Sequence, residues 1–279
     1  MVSQIDLLSY CTSRIDILDK NKNIIGSGTG FIYSYEKIID EKNCLKVFLV
    51  SNKHVFHPAY SIKFNLHIQN ENQDVIIGHD IIYEVTNERL KQTIYHPNTE
   101  IDLAILDITY IFLEAEKKNI NLYRLFLEKS IIPTSEEWEN LNSMEEVVMI
   151  GYPNGLWDQV NNLPLIRKGV TSSNPAIDFN GKKEFVIDAA CFPGSSGSPV
   201  FLFNTGSYLD KSSCSFKIDL RIKFIGILHS GPIMNAQGQV LNYETDFKSG
   251  DLTSTKVLIN LGYVIKSPIL EEMRDLISF

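Results

Sequence analysis

A loop late in the chain has the residue types that acyl-transfer chemistry requires. Ser196 lies in a segment rich in glycine, serine and proline, residues 191–200, which leads into an apolar run. Glycine is common where the backbone turns tightly or where a ligand approaches it closely. A serine hydroxyl on such a turn can act as a nucleophile, and the backbone N–H groups of Gly194 and Ser196 can bind the resulting oxyanion. Taken alone, the segment fits a surface loop equally well.

A serine nucleophile also needs a general base, usually a histidine that is oriented by a carboxylate. The chain contains six histidines, and His54 differs from the others because it ends a strongly apolar, strand-like segment. Asp102 stands directly before the apolar run 103–106, whereas Asp107 lies at the end of that run. His54 is therefore the candidate base, and Asp102 and Asp107 are both candidate carboxylates. On its own, Asp102 reads equally as a turn residue that precedes a strand, and Asp107 as a strand residue that faces solvent.

Composition narrows the class of protein. The 279 residues are 44% hydrophobic and 22% charged, as is usual for a folded domain, and the formal net charge is −8. That charge argues against nucleic acid or an anionic membrane as a partner. We see no basic segment followed by an apolar core at the amino terminus and no apolar run of about 18–20 residues. We expect a cytoplasmic protein without a signal peptide or a membrane span.

The cysteines suggest neither a disulfide framework nor a metal site. There are four of them, widely spaced, and they do not form a C-x-x-C pair. Without an export signal they should be reduced, and most should be buried thiols. We expect no bound metal.

The pattern of elements indicates an all-β protein, either a barrel or a sandwich. Residues 13–110 read as short strands separated by polar turns, the last of them over 103–110. Strand-like segments resume at residue 146 and include 199–203, 221–228 and 257–265. Between them, residues 111–146 lean helical. The chain closes with an amphipathic helix over 267–277, for which Ser267 is the predicted N-cap and Pro268 the first helical residue.

Four motifs together resemble the chymotrypsin-fold, or trypsin-like, serine peptidases. The similarity is to bacterial members in particular, such as the HtrA/Deg-type proteases and the glutamyl endopeptidases, and it covers roughly residues 14–277. The motifs occur in the order His, Asp, Ser and are Gly28-Thr29-Gly30-Phe31, Leu49-Val50-Ser51-Asn52-Lys53-His54-Val55, Asp102-Leu103-Ala104-Ile105-Leu106 and Gly194-Ser195-Ser196-Gly197-Ser198-Pro199.

This resemblance implies a fold and an activity. It implies a single peptidase domain over residues 1–279, with two antiparallel six-stranded β-barrels and a C-terminal helix. The first barrel would span about 13–110, a partly helical linker about 111–145, and the second barrel with the helix about 146–279. The activity would be that of a serine endopeptidase acting on a protein or peptide substrate without a metal or organic cofactor. The sequence does not identify a regulatory partner.

The resemblance also assigns roles to residues. His54, Asp102 and Ser196 would be the catalytic triad, and the backbone N–H groups of Gly194 and Ser196 would form the oxyanion hole. A pocket for the side chain before the cleaved bond would be formed by residues on two segments, namely Ala190, Cys191, Leu228, His229, Ser230 and Gly231.

Some positions depart from the family pattern. Digestive members have an aspartate directly before the nucleophile, which pairs with a newly cut N-terminal ammonium. Ser195 cannot form that ion pair, so activation by N-terminal cleavage is not expected. Ala190 replaces the acidic residue of trypsin-type enzymes, so cleavage after Lys or Arg is not expected either.

The expected pocket strand also departs from the pattern of the glutamyl endopeptidases. Those enzymes have their pocket histidine where this chain has Leu228, so His229 is shifted by one residue. In a regular strand this shift turns His229 away from the pocket. A small or apolar residue before the cleaved bond is then favoured over glutamate, unless a bulge intervenes.

Two other hypotheses remain. The chain could be a catalytically silent relative that binds peptides or partners in the same cleft. Cys191 could instead be the nucleophile, although it stands five residues before the position of Ser196.

Overall fold

The computed structural model describes residues 4–241 and 248–279, and antiparallel β-sheet makes up about half of them. The all-β class predicted from the sequence is confirmed. The strands of the first unit are β1 (Thr12–Leu18), β2 (Ile24–Ile39), β3 (Lys42–Ser51), β4 (Ser61–Gln69), β5 (Val75–Val85), β6 (Ile94–Tyr95) and β7 (Ala104–Asp107).

These strands form one sheet in the order β5-β4-β1-β2-β3-β7-β6. The first unit was expected to contain six strands, and it contains seven because the two-residue strand β6 pairs with β7. Among the described residues, no ladder joins the outer strands β5 and β6. Closure of this unit into a barrel therefore stays a prediction.

The strands of the second unit are β8 (Glu146–Gly151), β9 (Leu165–Thr171), β10 (Glu184–Asp188), β11 (Pro199–Asp210), β12 (Ser215–Ser230) and β15 (Leu261–Lys266). They pair in a closed ring, β10-β15-β12-β11-β8-β9. Strands β13 (Ile233–Leu241) and β14 (Lys248–Leu258) form a separate two-stranded sheet. The strand predicted over 257–265 is divided between β14 and β15.

The helices are short. They are α1 (Gln4–Ser9), α2 (Lys53–Phe56), α3 (Asn87–Leu90), α4 (Thr109–Lys117), α5 (Ser135–Glu139) and α6 (Pro268–Glu272), with 3-10 turns at Lys129–Ile131, Pro153–Gly155 and Met273–Leu276. The segment between the two units is partly helical, as predicted. Helix α5 begins with a capping box between Thr134 and Glu137, which satisfies two N–H groups at its start.

The predicted strand over 103–110 is too long. Strand β7 ends at Asp107, and helix α4 begins at Thr109. The Asp107 carboxylate accepts a hydrogen bond from the backbone N–H of Thr109 at 2.9 Å, which turns the chain out of the sheet. Such local side-chain bonds compete with a β-ladder.

The C-terminal helix connects the second unit to the first. Pro268 is its first residue, as predicted, but the hydroxyl of Ser267 makes no capping hydrogen bond. The hydroxyl of Tyr35 donates to the carbonyl oxygen of Leu270 at 2.8 Å, and that of Tyr33 donates to the Glu271 carboxylate at 2.6 Å. One apolar cluster includes Leu270 together with residues of both units, so the two units share a core.

Gly28, the first residue of the motif 28–31 on β2, determines how closely α2 packs against this strand. A Cβ atom on Gly28 would lie 2.8 Å from Cγ1 of Val55 in α2. Any larger residue at this point would push the helix away from the sheet. The missing side chain thus allows α2, which carries His54, to lie directly against β2. Within the described part of the chain, no helix is long and apolar enough to cross a bilayer.

Candidate active site

His54 and Asp102 are brought together by the pairing of β3 with β7. Ser51 at the end of β3 lies opposite Ala104 at the start of β7, so the residues just outside both strands are neighbours. His54 Nδ1 lies 2.5 Å from Asp102 Oδ2, and the backbone N–H of His54 donates to Asp102 Oδ1 at 3.1 Å. Asn52 Nδ2 donates to the backbone carbonyl of Asp102 at 2.8 Å. The carboxylate is therefore fixed on both oxygens, and the backbone behind it is fixed as well.

The electrostatics of the pair favour an ionised Asp102. Burial raises the pKa of its carboxyl, but the hydrogen bonds from His54 and the electrostatic interaction with it lower this pKa by more, so the pKa lies below its ordinary value. An ionised carboxylate can only accept hydrogen bonds, so it holds the proton of His54 on Nδ1. The Nε2 atom then carries the lone pair. The imidazole is about half exposed, at 51% of its side-chain surface, and is accessible from the cleft.

Asp107, the alternative carboxylate, has other partners. Its Oδ2 atom lies 3.1 Å from the ammonium of Lys46, and its Oδ1 atom accepts the N–H of Thr109. The structure therefore pairs His54 with Asp102 and leaves Asp107 to the start of helix α4.

The loop around Ser196 depends on two glycines with a left-handed backbone. Gly194 has φ +85° and Gly197 has φ +88°, a region that residues with a side chain rarely adopt. A Cβ atom on Gly197 would also lie 2.0 Å from the carbonyl oxygen of Thr29. The backbone N–H of Ser195 donates to the carbonyl of Phe192 at 3.0 Å and closes a turn with Pro193 and Gly194 at its centre. Proline followed by a glycine with positive φ is typical of a type II turn.

The turn has a defined direction because Pro193 is anchored from outside. Its carbonyl oxygen accepts a hydrogen bond from the backbone N–H of Asn154 at 2.5 Å. A trans peptide group is planar and points its C=O and N–H in opposite directions, and no described peptide bond is cis. The N–H of Gly194 therefore points away from Asn154. Neither this N–H nor that of Ser196 has a hydrogen-bond partner among the described residues.

Thr29, from β2 of the first unit, holds the same loop from the other side. Its hydroxyl donates to the carbonyl of Gly194 at 2.9 Å, and its backbone N–H donates to the carbonyl of Ser196 at 2.9 Å. The hydroxyl in turn accepts the backbone N–H of Tyr152 at 3.1 Å. Thr29 is fully buried. The position of the loop in the second unit is thus fixed by a residue of the first.

His54, Asp102 and Ser196 line one cavity of about 330 Å³ between the two units. Five of the six residues predicted for the specificity pocket line it too, and they are Cys191, Leu228, His229, Ser230 and Gly231. Four lining residues were not predicted, namely Phe192, Pro193, Ile233 and Leu258. In this conformation the Ser196 hydroxyl donates to the backbone carbonyl of His229 at 3.4 Å. No hydrogen bond joins it to His54 within the described residues.

A bulge explains why Leu228 and His229 both line the cavity. The pairing of β12 with β15 shifts register between Leu228 and Ser230, so the strict alternation assumed from the sequence is broken. His229 Nε2 lies 3.0 Å from a Glu184 carboxylate oxygen, and its Nδ1 lies 3.1 Å from the Ser230 hydroxyl. Burial lowers the pKa of His229 by more than Glu184 raises it.

Cys191 is buried, and its environment disfavours the thiolate. Burial raises the pKa of the thiol to about 11. A Cβ atom on Gly262 would lie 2.6 Å from its Sγ atom, so β15 packs closely against it. The nucleophilic form of cysteine is the thiolate. Cys191 is therefore a protonated wall residue of the cavity at neutral pH.

Ala190 does not line the cavity, and it contacts a residue that the sequence did not single out. Nη1 of Arg167 donates to the backbone carbonyl of Ala190 and to the hydroxyl of Ser195, both at 2.7 Å. Nothing in the sequence distinguishes Arg167 from Lys168 beside it. The described residues contain no group of three or more His, Cys, Asp or Glu side chains that could hold a metal ion.

Comparisons with solved structures find distant likenesses to several proteases. The chain resembles the MamO protease domain from Magnetospirillum magneticum (11% identity, 96% of this chain and 97% of that one, TM-score 0.47). It resembles the active form of the Rv3671c protease from M. tuberculosis (13% identity, 96% and 81%, TM-score 0.44). It also resembles the thermostable serine protease AL20 from an extremophilic microorganism (11% identity, 95% and 95%, TM-score 0.47).

These likenesses are too distant to assign an activity. A comparison by sequence with curated proteins finds no significant match. The family model for the trypsin-like peptidase domain matches residues 28–209, which is more than half of the 279 residues. The matched range includes His54, Asp102 and Ser196 and ends before the strand that carries Leu228 and His229. With its antiparallel sheets and C-terminal helix, the chain has the chymotrypsin-like fold and belongs to the trypsin-like peptidase domain family.

Proposed function

We propose that this protein is a serine endopeptidase in which Ser196 is the nucleophile, His54 the general base and Asp102 the residue that orients His54. The observation that carries the proposal is the 2.5 Å contact between His54 Nδ1 and Asp102 Oδ2 at the rim of the cavity that Ser196 also lines. This contact leaves the lone pair of His54 Nε2 for the proton of Ser196. In unliganded sites such hydrogen bonds to the nucleophile are often long and tighten only when substrate is bound.

In the proposed reaction, His54 takes the proton of Ser196 as its oxygen attacks the carbonyl carbon of a peptide bond. The imidazolium then gives this proton to the leaving amine, and the acyl group stays on Ser196 until water releases it. Asp102 stabilises the imidazolium because its carboxylate accepts from both the ring and the backbone of His54. None of these steps needs a cofactor.

The oxyanion would be bound by the backbone N–H groups of Gly194 and Ser196. Support comes from the hydrogen bond between Pro193 and Asn154, because it turns the Gly194 N–H away from Asn154. It also comes from the lack of a protein partner for either N–H among the residues that the structure describes. Loss of one such donor typically costs a factor on the order of 10²–10³ in rate.

The side chain before the cleaved bond is proposed to be small or apolar. The wall of the cavity is formed in large part by apolar groups of Cys191, Phe192, Leu228 and Leu258. The Nε2 atom of His229 is engaged by the Glu184 carboxyl group, so it is not free to bind an acidic substrate side chain. Apart from Asp102 of the proposed triad, no carboxylate lines the cavity among the described residues, so a basic substrate side chain has no counter-charge there.

A fluorophosphonate probe tests this assignment, because it reacts with an activated serine and needs no known substrate. We expect one adduct on Ser196 in the wild type, no adduct in Ser196→Ala, and a normal adduct in Ser207→Ala, a matched change on an exposed strand. If the folded wild type forms no adduct, the assignment is wrong and the cleft is that of a binding module. If Cys191→Ala abolishes labelling, the nucleophile has been misassigned.

A further inference from the structure

Arg167 lies behind the wall of the cavity and contacts both ends of one loop. Its Nη1 group donates one hydrogen bond to the Ala190 carbonyl and one to the Ser195 hydroxyl. These two residues begin and end the segment 190–195. Between them, Cys191, Phe192 and Pro193 line the cavity, and Gly194 carries the proposed oxyanion N–H.

The guanidinium of Arg167 differs from three other largely buried cations in having no carboxylate partner among the described residues. Arg14, Arg221 and Lys266 are also largely buried, and each forms an ion pair with an Asp or Glu. Arg167 forms no such pair with any described residue. Its Nε and Nη2 atoms are buried without a hydrogen-bond partner, and the neighbouring Cys191 thiol is neutral.

Burial of a cation without a carboxylate partner lowers the stability of the folded state. Burial lowers the pKa of Arg167 to about 10, so the group stays charged at neutral pH. A replacement by an apolar residue of similar length would remove this cost. An unsatisfied group of this kind calls for an explanation, and a role in the neighbouring site is one.

The position of Arg167 follows from a close approach of two strands. A Cβ atom on Gly169, two residues along the same face of β9, would lie 2.2 Å from the carbonyl oxygen of Asp188. This glycine lets β9 lie directly against the end of β10, where the segment 190–195 begins. The Arg167 side chain thereby reaches Ser195, which is fully buried.

We infer that Arg167 is a positioning residue that holds the segment 190–195 in the conformation in which the Gly194 N–H can bind an oxyanion. Thr29 fixes the loop from the first unit, and Arg167 fixes it from the second. The cation is built into the barrel, so the conformation requires no cleavage of the chain. The inference rests on the proposed function, because it assigns a purpose to the geometry of that loop.

The test compares Arg167→Met and Arg167→Lys with Lys168→Met, a matched change on the same strand. Among the described residues, the ammonium of Lys168 pairs with exposed Glu146 alone. Two quantities are measured for each protein. One is the rate constant of fluorophosphonate labelling at Ser196. The other is hydrogen exchange of the Ser195 amide, which in the wild type is bonded to the Phe192 carbonyl.

We expect Arg167→Met to be labelled at least about tenfold more slowly than the wild type and to exchange the Ser195 amide faster. Arg167→Lys keeps the charge, but its side chain is shorter and lacks the planar guanidinium. Its labelling rate and its exchange rate should therefore lie between those of the wild type and those of Arg167→Met. Lys168→Met should match the wild type in both measurements. Labelling of Arg167→Met at the wild-type rate would overturn the inference, and so would slow labelling with unchanged exchange.

If Arg167→Met does not fold, Ser195→Ala tests the same inference, because it removes only the hydroxyl that accepts a hydrogen bond from Arg167. It should accelerate exchange of its own amide and slow the labelling of Ser196, and wild-type values in both would overturn the inference. The proposed function fails separately, since it predicts that the wild type is labelled. An unlabelled wild type would refute the function, while the exchange comparison would still decide whether Arg167 holds the loop.

Discussion

The backbone N–H of Thr29 donates a hydrogen bond to the carbonyl oxygen of Ser196 at 2.9 Å, across the boundary between the two units. Through this bond the strand that packs against the helix of His54 also sets the position of the candidate nucleophile. The relative placement of His54 and Ser196 thus depends on two neighbouring residues of β2. Helix α2 packs against Gly28, and Thr29 is hydrogen-bonded to the loop of Ser196.

Replacing Thr29 by valine should weaken this connection. The valine keeps the shape of threonine but removes the hydroxyl that donates to the Gly194 carbonyl and accepts the Tyr152 N–H. A buried N–H left without a partner typically costs about 1–3 kcal/mol. We expect a loss of that size in the free energy of unfolding in urea, together with slower labelling of Ser196. Thr29→Ser keeps the hydroxyl and should lose much less. Equal stability of the two variants would contradict this role of Thr29.

Replacing Gly197 by alanine should be far more damaging than the same change at Gly181. Both glycines have a positive φ, so in both cases alanine meets backbone strain on the order of 1–2 kcal/mol. At Gly181 the new Cβ atom meets nothing within 4 Å, whereas at Gly197 it would lie 2.0 Å from the Thr29 carbonyl oxygen. We expect Gly197→Ala to lose on the order of 3 kcal/mol or more in unfolding free energy, and Gly181→Ala only the strain. Similar losses in the two variants would show that the contact between the units is not tight.

The hydrogen-bonded pair of Asp102 and His54 predicts how stability depends on pH. The pKa of Asp102 is lowered in the folded state, so its contribution to stability is fully present above the unfolded pKa of about 3.9 and is lost as the pH falls through the folded pKa. Asp102→Asn should therefore differ most from the wild type near neutral pH, and the difference should shrink in acid. Urea unfolding at several pH values measures this. A difference that grows as the pH falls would contradict the lowered pKa.

The same substitution predicts a large loss of reactivity at Ser196. An asparagine can donate to His54 Nδ1, which favours the tautomer with the proton on Nε2, the wrong nitrogen for a base. In serine peptidases this change costs a factor on the order of 10⁴ in rate. We expect fluorophosphonate labelling to fall steeply, while Asp107→Asn, which alters only the pairing with Lys46, leaves labelling within about twofold of the wild type. Loss of labelling in Asp107→Asn instead would mean that the carboxylates have been assigned the wrong way round.

Cys191 and Cys214 should react very differently with iodoacetamide. The pKa of the buried Cys191 thiol is raised to about 11, whereas Cys214 is exposed. At neutral pH we expect rapid alkylation of Cys214, little of Cys191, and full labelling of Ser196 in Cys191→Ala. Rapid alkylation of Cys191 would show that its thiol is accessible and reactive, and Cys191 would again be a candidate nucleophile.

The parts of the site that the sequence could predict are those in which residue type carries the chemistry. His54 and Asp102 stand just outside two apolar strands, and a sheet places such positions at the same edge. Gly194 and Gly197 indicate a tight turn, because glycine adopts a positive φ without the strain that residues with a side chain meet there. These inferences are local. The structure pairs His54 with Asp102 and places Ser196 in the same cavity, and the catalytic roles of the three residues stay a prediction.

The parts that it could not predict depend on contacts between distant strands. Arg167 meets Ser195 only because the second unit closes into a ring and Gly169 allows β9 to approach β10. The bulge at His229 breaks the alternation from which its direction was inferred. Strands β11 and β12 extend well beyond their predicted lengths, and their outer part is polar or exposed, as Ile218 at 90% exposure illustrates. Such a hairpin has no buried face, and therefore no alternating pattern that could reveal it.

Hydrolysis of a peptide library by the pure protein, read by mass spectrometry, tests the central claim most directly. The account predicts new cleavages at internal peptide bonds, preferentially after small or apolar residues, by the wild type and not by Ser196→Ala. A folded wild type that cleaves none of these peptides, or a cleavage pattern that persists in Ser196→Ala, would contradict it.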